Sequence, residues 1–327
     1  MDTLSVVVPC YNEEDTLPLF YAEICRVAQR MDDLAFEFVF VDDGSADRTL
    51  ALLRDYRKAD GRVRYLSFSR NFGKEAALLA GLRAARGRFV AVMDADLQDP
   101  PDLLVAMRDG LVKEGYDCVA ARRVSRAGEP KLRALSARLF YRLMGRIARV
   151  DMVDGARDFR LMTRRVADAI LSMPETNRFS KGIFGWVGFK TKWLPYEHVP
   201  RAGGDTKWSF FKLFQYSLSG IAAFSQLPLA LASILGVLLF FASLLILVFL
   251  IIRRLAFGDP VSGWASTVCI IIFIGSMQFL CLGIMGQYLS RMYLEVKRRP
   301  PYFIRETEED GAGADGSDAG EDTCQNG

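Results

Sequence analysis

Two carboxylates two residues apart, Asp94 and Asp96, close the apolar run Phe89-Val90-Ala91-Val92-Met93. In an extended strand residues i and i+2 share a face, so the spacing predicts both side chains side by side where a strand meets solvent. A second run, Phe36-Glu37-Phe38-Val39-Phe40-Val41, ends in the same manner with Asp42-Asp43-Gly44-Ser45. Clusters that offer only oxygen suit a hard divalent cation, Mg²⁺ or Mn²⁺, which commonly completes its octahedron with phosphate oxygens of a substrate. A nucleotide diphosphate is the natural partner. Metal neutralisation of a departing diphosphate, helped by fixed cations, is Lewis-acid catalysis of group transfer.

Other chemistries lack their residues. No G-x-G-x-x-G follows the first apolar run, and no G-x-x-x-x-G-K-[ST] occurs, so neither a dinucleotide-binding Rossmann site nor a P-loop is supported. His198 is the only histidine, which removes mechanisms built on histidine clusters. Six cysteines show no C-x-x-C spacing, so neither a disulfide framework nor a zinc site is indicated. What remains is Asp43, Asp94, Asp96 and Asp158 with arginines and lysines nearby.

The elements that must position these groups alternate. Strands are expected over 4–8, where Pro9 stops a β-branched run, and over 36–41, 63–68 and 89–93. Helices are expected over 16–31, from a cap at Asp47 through Tyr56, and over 75–85. This rhythm predicts an α/β fold: a mostly parallel sheet covered on both faces, with ligands at the carboxyl ends of the strands, where the acids sit. Pro100-Pro101 then opens a helix through Val112, and 118–121 is a short strand ending in Arg122-Arg123. The basic stretch 126–149 reads as an amphipathic helix at a membrane surface or as a plain solvated helix.

The hydrophobic content, 51%, is locally concentrated: residues 227–252 and 264–289 carry no charged side chain. About twenty apolar residues cross a bilayer, so both runs read as transmembrane helices. Aromatics such as Trp208, Phe210, Phe214 and Tyr216 make 206–225 one or two interfacial helices, or a helix packed on the preceding domain. Arg291, Lys297, Arg298, Arg299 and Arg305 follow the second run, against Arg253 and Arg254 between the runs, which favours a cytoplasmic C-terminus. The start, Met1-Asp2-Thr3-Leu4-Ser5-Val6, lacks the pattern of a signal peptide, so the N-terminal portion is expected in the cytosol. Residues 306–327 hold eight acids and no base, leaving +11 on 1–305; that basic body suits anionic headgroups, polyphosphates or nucleic acid. The glycine-rich acidic tail is expected to be disordered. Ala232 and Gly236, four apart, allow spans or neighbouring subunits to pack closely, which leaves a homo-oligomer open.

Four segments together resemble a known family: Val6-Val7-Val8-Pro9-Cys10-Tyr11-Asn12-Glu13, Val41-Asp42-Asp43-Gly44-Ser45, Asn71-Phe72-Gly73-Lys74-Glu75 and Asp94-Ala95-Asp96-Leu97-Gln98-Asp99-Pro100-Pro101. They are similar to inverting glycosyltransferases of family 2. More closely, they resemble polyprenyl-phosphate sugar transferases of the dolichol-phosphate mannose synthase and two-span bactoprenol glucosyltransferase kind. The resemblance covers roughly residues 4–305. It implies a GT-A catalytic domain over 1–205, interfacial helices over 206–226, two transmembrane helices with a short loop over 227–290, and a basic then acidic tail over 291–327. The protein would sit in the inner membrane as a multi-pass enzyme with both termini cytoplasmic.

The resemblance also implies residue roles. Pro9, Tyr11 and Glu13 would line the nucleotide base and ribose, with Asp43 beside the base. Asp94, with Ala95, would hold the ribose or diphosphate side, while Asp96 and Gln98 would touch Mg²⁺ or Mn²⁺. Arg122, Lys181, Arg201 and Lys207 stand where the family grips phosphates of the donor or the lipid acceptor. Gly155-Ala156-Arg157-Asp158-Phe159-Arg160 matches a stretch that usually reads Gly-Asp-Phe-Arg, with Arg157 in place of a glycine. Asp158 is the family's candidate base. A phosphomonoester has a second pKa near ~6 and is already ionised at neutral pH, so Asp158 is expected to orient sugar or acceptor and offset positive charge at the anomeric carbon. The implied reaction moves one hexose, most simply glucose from UDP-glucose, to polyprenyl phosphate, with no nucleic acid involved. GDP-mannose or a modified sugar is the alternative donor; a processive polysaccharide synthase, which would carry Gln-x-x-Arg-Trp, and a non-catalytic membrane scaffold are the other readings.

Overall fold

The computed structural model describes residues 1–124, 153, 155–173, 175, 178–197 and 263–310, with isolated positions between 234 and 252. The chain divides into two units: one holds the N-terminal part together with 300–327, the other is 214–299.

In the first unit one eight-stranded sheet carries the order β7-β5-β6-β4-β1-β2-β3-β8. Its centre is parallel: β1 (Asp2–Cys10) lies between β2 (Leu34–Asp42) and β4 (Phe89–Val92), and β3 (Val63–Phe68) flanks β2. β5 (Cys118–Arg123) runs parallel with β7 (Thr191–Tyr196), while β6 (Ala156–Thr163) is antiparallel to both β4 and β5. On the other flank β8 (Ile304–Thr307) is antiparallel to β3 and covers its edge.

Alternation divides the side chains of β1 and β2 between two faces. Leu4, Val6, Val8, Phe36, Phe38 and Phe40 enter one core. Against them pack Phe20, Ile24 and Val27 of α1 (Leu17–Gln29), Leu53 of α2 (Thr49–Ala59), and Leu104 and Met107 of α4 (Leu103–Val112). The opposite face receives α3 (Lys74–Ala84), which is buried nearly throughout. Contact there is close at Gly81, where a Cβ would meet Val7 Cγ1 at 2.3 Å. Helices α5 (Arg164–Leu171) and α6 (Ser180–Trp186) also belong to this unit.

Several boundaries differ from those expected, each for a local reason. Pro9 does not stop β1, which continues to Cys10. Val7 accepts from Met93 on the β4 side, so Pro9, two residues on, points its missing N–H to that side, past the last β4 partner. β4 itself stops at Val92, so Asp94 lies past the strand and Asp96 on the turn after it, and strand alternation does not set them side by side. Asp47 accepts the Thr49 N–H at 3.0 Å but sits one residue before the N-cap position, Arg48. After Pro100-Pro101 the helix begins at Leu103, following a turn closed by Leu103 N–H on Pro100 O at 3.1 Å.

The C-terminal segment is the largest correction. Residues 304–310 form β8 and a helical turn, although the chain from 306 onward is expected in the disordered acidic tail. Glu306 accepts from Arg54 Nε at 2.8 Å and Tyr65 Oη at 2.7 Å, and Glu308 from Arg64 Nε at 2.6 Å. Half-buried ion pairs and a strand edge hold what composition alone assigns to solvent.

In the second unit α7 (Trp264–Lys297) is 34 residues long and contains the whole charge-free run 264–289. Only part of its side chains belongs to the described residues, and among those residues no helix is long and apolar enough to cross a membrane. The first charge-free run is described only at isolated helical positions, and the segments 126–149, 206–225 and 311–327 lie outside the described residues.

Candidate active site

The acids converge at the carboxyl edge of the parallel strands. Asp42 ends β2 and Asp43 follows it, and Asp94 follows β4. Asp158 arrives from the antiparallel β6, whose register pairs Val92 with Arg160. Continued two residues past the end of β4, that register sets Asp94 opposite Asp158. Lys74, the first residue of α3, lies between them: Nζ is 2.6 Å from Asp94 Oδ1 and 2.6 Å from Asp158 Oδ2.

The electrostatics of this triad are decisive for chemistry. Burial by itself raises the Asp158 pKa, but the charges of Lys74 and Lys181, the Lys74 hydrogen bond and the Arg160 charge outweigh it and hold the carboxyl well below the usual range. Burial acts in reverse on Lys74, and the two carboxylates overcome it, raising the ammonium above its ordinary value. Asp158 is therefore a fixed anion and a poor proton acceptor at neutral pH.

Its surroundings are cationic and aromatic. Arg160 is buried, donates from Nε to the Asp158 carbonyl at 3.2 Å, and lies 3.4 Å over the Phe184 ring. Glu75 receives the Ser180 N–H at 3.0 Å and the Ser180 hydroxyl, fixing the start of α6 and with it Lys181. Arg160 and Lys181 also line a cavity of about 180 Å³ with Phe184, Phe189 and Trp193.

Asp43 is buried, and its carboxylate accepts from the N–H groups of Phe72 at 2.7 Å and Gly73 at 2.9 Å. Burial raises its pKa against those two bonds. The same β2 turn needs Gly44, at φ +67°, because a Cβ there would meet the Arg70 carbonyl carbon at 2.5 Å. The β1 and β2 turns are zipped together: Asn12 N–H donates to Ser45 Oγ at 2.9 Å, Ala46 N–H to Asn12 Oδ1 at 2.9 Å, and Glu13 N–H to Thr49 Oγ1 at 2.9 Å. The Glu13 carboxylate holds the Thr16 hydroxyl at 2.5 Å. Pro9 ends β1 beside them, and Tyr11 stays 41% exposed.

Beyond β4, Ala95 is buried and Leu97 takes a left-handed φ of +55°. Asp96 accepts the Gln98 N–H at 3.2 Å. Arg157, the departure from the family stretch, donates from Nη2 to Gln98 Oε1 at 3.1 Å and from Nε to Asp99 Oδ1 at 3.0 Å. Asp99, buried, also accepts the Tyr196 hydroxyl. Among the described residues no group of three His, Cys, Asp or Glu side chains is assembled to hold a metal ion. Arg122 is exposed on β5, whereas Arg201 and Lys207 lie outside the described residues.

Residues 5–171 match the model of glycosyl transferase family 2. The chain belongs to that family. It is 42% identical over 301 residues to an uncharacterized glycosyltransferase of Synechocystis, covering 92% of this chain and 94% of the relative. It is 38% identical to a prophage-derived bactoprenol glucosyl transferase of Shigella flexneri, covering 93% of this chain and 98% of that one. Among solved structures, mannosyl-3-phosphoglycerate synthase of Rubrobacter xylanophilus aligns with a TM-score of 0.48 at 19% identity, over 68% of this chain and 72% of the other. The protein is a glycosyltransferase built on an α/β sheet. Lys74, Glu75, Arg160 and the Arg157–Asp99–Tyr196 set are the residues that motif reading left without a role. Lys74 and Glu75 stood inside a quoted motif, but only the fold reveals what they face.

Proposed function

We propose that this glycosyltransferase moves one hexose, glucose from UDP-glucose, onto polyprenyl phosphate, with inversion at the anomeric carbon. The observation that carries the reading is the Lys74 bridge between Asp94 and Asp158. A neutral hydroxyl acceptor needs a base, and an Asp158 held ionised far below neutral pH supplies a weak one. A phosphate monoester needs none, because it arrives charged. Its oxygen forms the bond to the anomeric carbon as the bond from that carbon to the donor diphosphate breaks, turning an α-linked donor into a β-linked product. Arg160 and Lys181, beside an aromatic cavity, suit a phosphate attached to an apolar chain. The Shigella relative's name points the same way.

For the donor, Asp43, Tyr11, Pro9 and Glu13 frame the base side, and Asp94 and Ala95 the ribose or diphosphate. Asp96 and Gln98 offer oxygen only, a donor set that fits Mg²⁺ or Mn²⁺ sharing its remaining positions with substrate phosphates. When bound, the ion would neutralise charge on the leaving diphosphate. Arg122, with Arg201 and Lys207, is assigned to phosphates. The charge-free runs 227–252 and 264–289 are read as membrane spans of a multi-pass inner-membrane protein, its catalytic domain and termini cytoplasmic. Helical positions in both, among them Leu238, Leu245, Phe249, Ile271, Phe279 and Leu289, are apolar and exposed, which suits lipid contact.

The test is transfer from labelled UDP-glucose, other UDP-sugars and GDP-mannose to a short polyprenyl phosphate, with and without Mg²⁺ or Mn²⁺. Metal-dependent formation of lipid-linked glucose is expected. Transfer from GDP-mannose alone would reassign the donor, and no lipid-linked sugar from any donor would remove the reading.

A further inference from the structure

The loop that delivers Lys74 is short and exposed on one side, yet it carries two of the site's contacts. Phe72 and Gly73 give their N–H groups to Asp43, and Gly73, at φ +96°, turns the chain into α3 so that Lys74 begins the helix. Asp43 and Gly44 hold this loop from the β2 side. Its other side is held by the segment that follows α7.

After Lys297 the chain passes Pro300-Pro301 and meets the loop through two aromatics. Tyr302 stacks on Phe68 at 4.9 Å and 12°, and Phe68 meets Phe72 edge-on at 5.8 Å. Phe303 reaches the Phe72 ring directly at 6.2 Å, and its carbonyl accepts the Ser69 N–H at 3.0 Å. Arg83 of α3 donates to the Tyr302 hydroxyl at 3.2 Å. Beyond these rings β8 pairs with β3, and Glu306 and Glu308 are fastened to Arg54, Tyr65 and Arg64. The strap is thus anchored at its far end by ion pairs and touches the site's loop at its near end by rings.

We propose that Tyr302 and Phe303 are positioning residues: through Phe68 and Phe72 they set the Ser69–Gly73 backbone, and hence the place of Lys74 between Asp94 and Asp158. The C-terminal strap then belongs to the donor site, although the second unit separates it in sequence from every other residue there. This rests on the reading of that site as the donor site. The backbone effect is measurable without it.

The experiment uses the full chain in lipid nanodiscs. Tyr302→Ala/Phe303→Ala is expected to raise the KM for the nucleotide sugar about tenfold, as small misplacements of positioned groups do, with the KM for polyprenyl phosphate within about twofold of the parent. Amide hydrogen exchange at Phe72 and Gly73 should accelerate in the same variant, and Tyr302→Phe/Phe303→Tyr should restore both readouts. Arg54→Met, which cuts the far anchor, should lower Tm without moving the donor KM. Unchanged exchange at Phe72 and Gly73 would overturn the proposal even if no sugar transfer were found for the parent. Equal losses for donor and acceptor that follow Tm across all variants would overturn it as well. Absence of transfer by the parent, with exchange accelerated as expected, would remove the donor-site reading and leave the positioning of the loop standing.

Discussion

Lys74 and Asp158, 84 residues apart in sequence, meet at 2.6 Å between Nζ and Oδ2, and the same ammonium meets Asp94 at 2.6 Å. One cation thereby holds the group assigned to the donor and the group assigned to the reacting carbon at a common distance. Lys74→Met should remove the shared counter-ion and leave two carboxylates facing each other. Turnover is expected to fall at least about a hundredfold, the rate equivalent of roughly 3 kcal/mol. Asp158 should then titrate at higher pH, because its largest favourable charge has gone. The check is a pH–rate profile with thermal unfolding; unchanged turnover would show the bridge to be structural only.

Asp158→Asn addresses the role of that carboxylate. It keeps the shape and removes the charge, so a loss of more than about tenfold in kcat is expected if the anion offsets charge at the anomeric carbon. In the parent the acid limb of kcat/KM should fall near ~6, the second pKa of the lipid phosphate, since Asp158 stays ionised well below that. A limb that tracked Asp158 would instead vanish in the Asn variant, and base catalysis would have to be restored.

How these groups come together shows what the sequence could and could not convey. The parallel centre was legible because runs rich in Val and Phe end in Asp-Asp-Gly-Ser or Asp-Ala-Asp, and local periodicity carries that information. The insertion of β6 between β4 and β5 was not, since antiparallel pairing depends on partners about seventy residues away in β4 and about forty in β5 and leaves no local period. Lys74 was visible as a motif letter, but its meaning depends on the register that brings Asp158 to Asp94. Residues 306–310 were misread for the opposite reason: acidic composition suggested solvent, whereas Arg54, Arg64 and Tyr65 provide specific partners.

Gly44→Ala tests the turn that separates Asp43 from the loop of Lys74. The added methyl would meet the backbone of Arg70 and Asn71, within 2.9 Å, and a left-handed φ adds about 1–2 kcal/mol of strain. Because the obstacle is backbone, the loop itself must move. Donor affinity should fall together with a Tm loss of several degrees, read by isothermal titration with the nucleotide sugar and by thermal unfolding.

Removal of the divalent ion should stop transfer, and Mg²⁺ or Mn²⁺ should restore it. Asp96→Ala should do the same irreversibly, with a loss of at least about a hundredfold at saturating metal, and thermal unfolding of the variant separates a lost metal role from a lost fold. Full activity of the variant in chelator would exclude a metal role for this residue.

Glu37 concerns stability away from the site. It lies buried in β2, accepts from Arg64 Nη1 at 2.9 Å, Arg86 N–H at 2.9 Å and the Ser5 hydroxyl, and shares Arg64 with Glu308. Burial pushes its pKa up, but the three hydrogen bonds and the Arg64 charge prevail and leave it below the usual carboxylate value. A folded pKa under the unfolded one, about 4.3, means that ionised Glu37 stabilises the fold above that pH and that this contribution is lost as pH falls through the folded value. Glu37→Gln keeps the volume and some of the hydrogen bonds but withdraws the charge from Arg64, for a cost of about 2–3 kcal/mol at pH 7. Denaturant unfolding at pH 7 and below pH 4 measures both parts, and the gap between parent and variant should narrow in acid. A constant gap across that window would mean that the hydrogen bonds, and not the charge, hold β2 to β3.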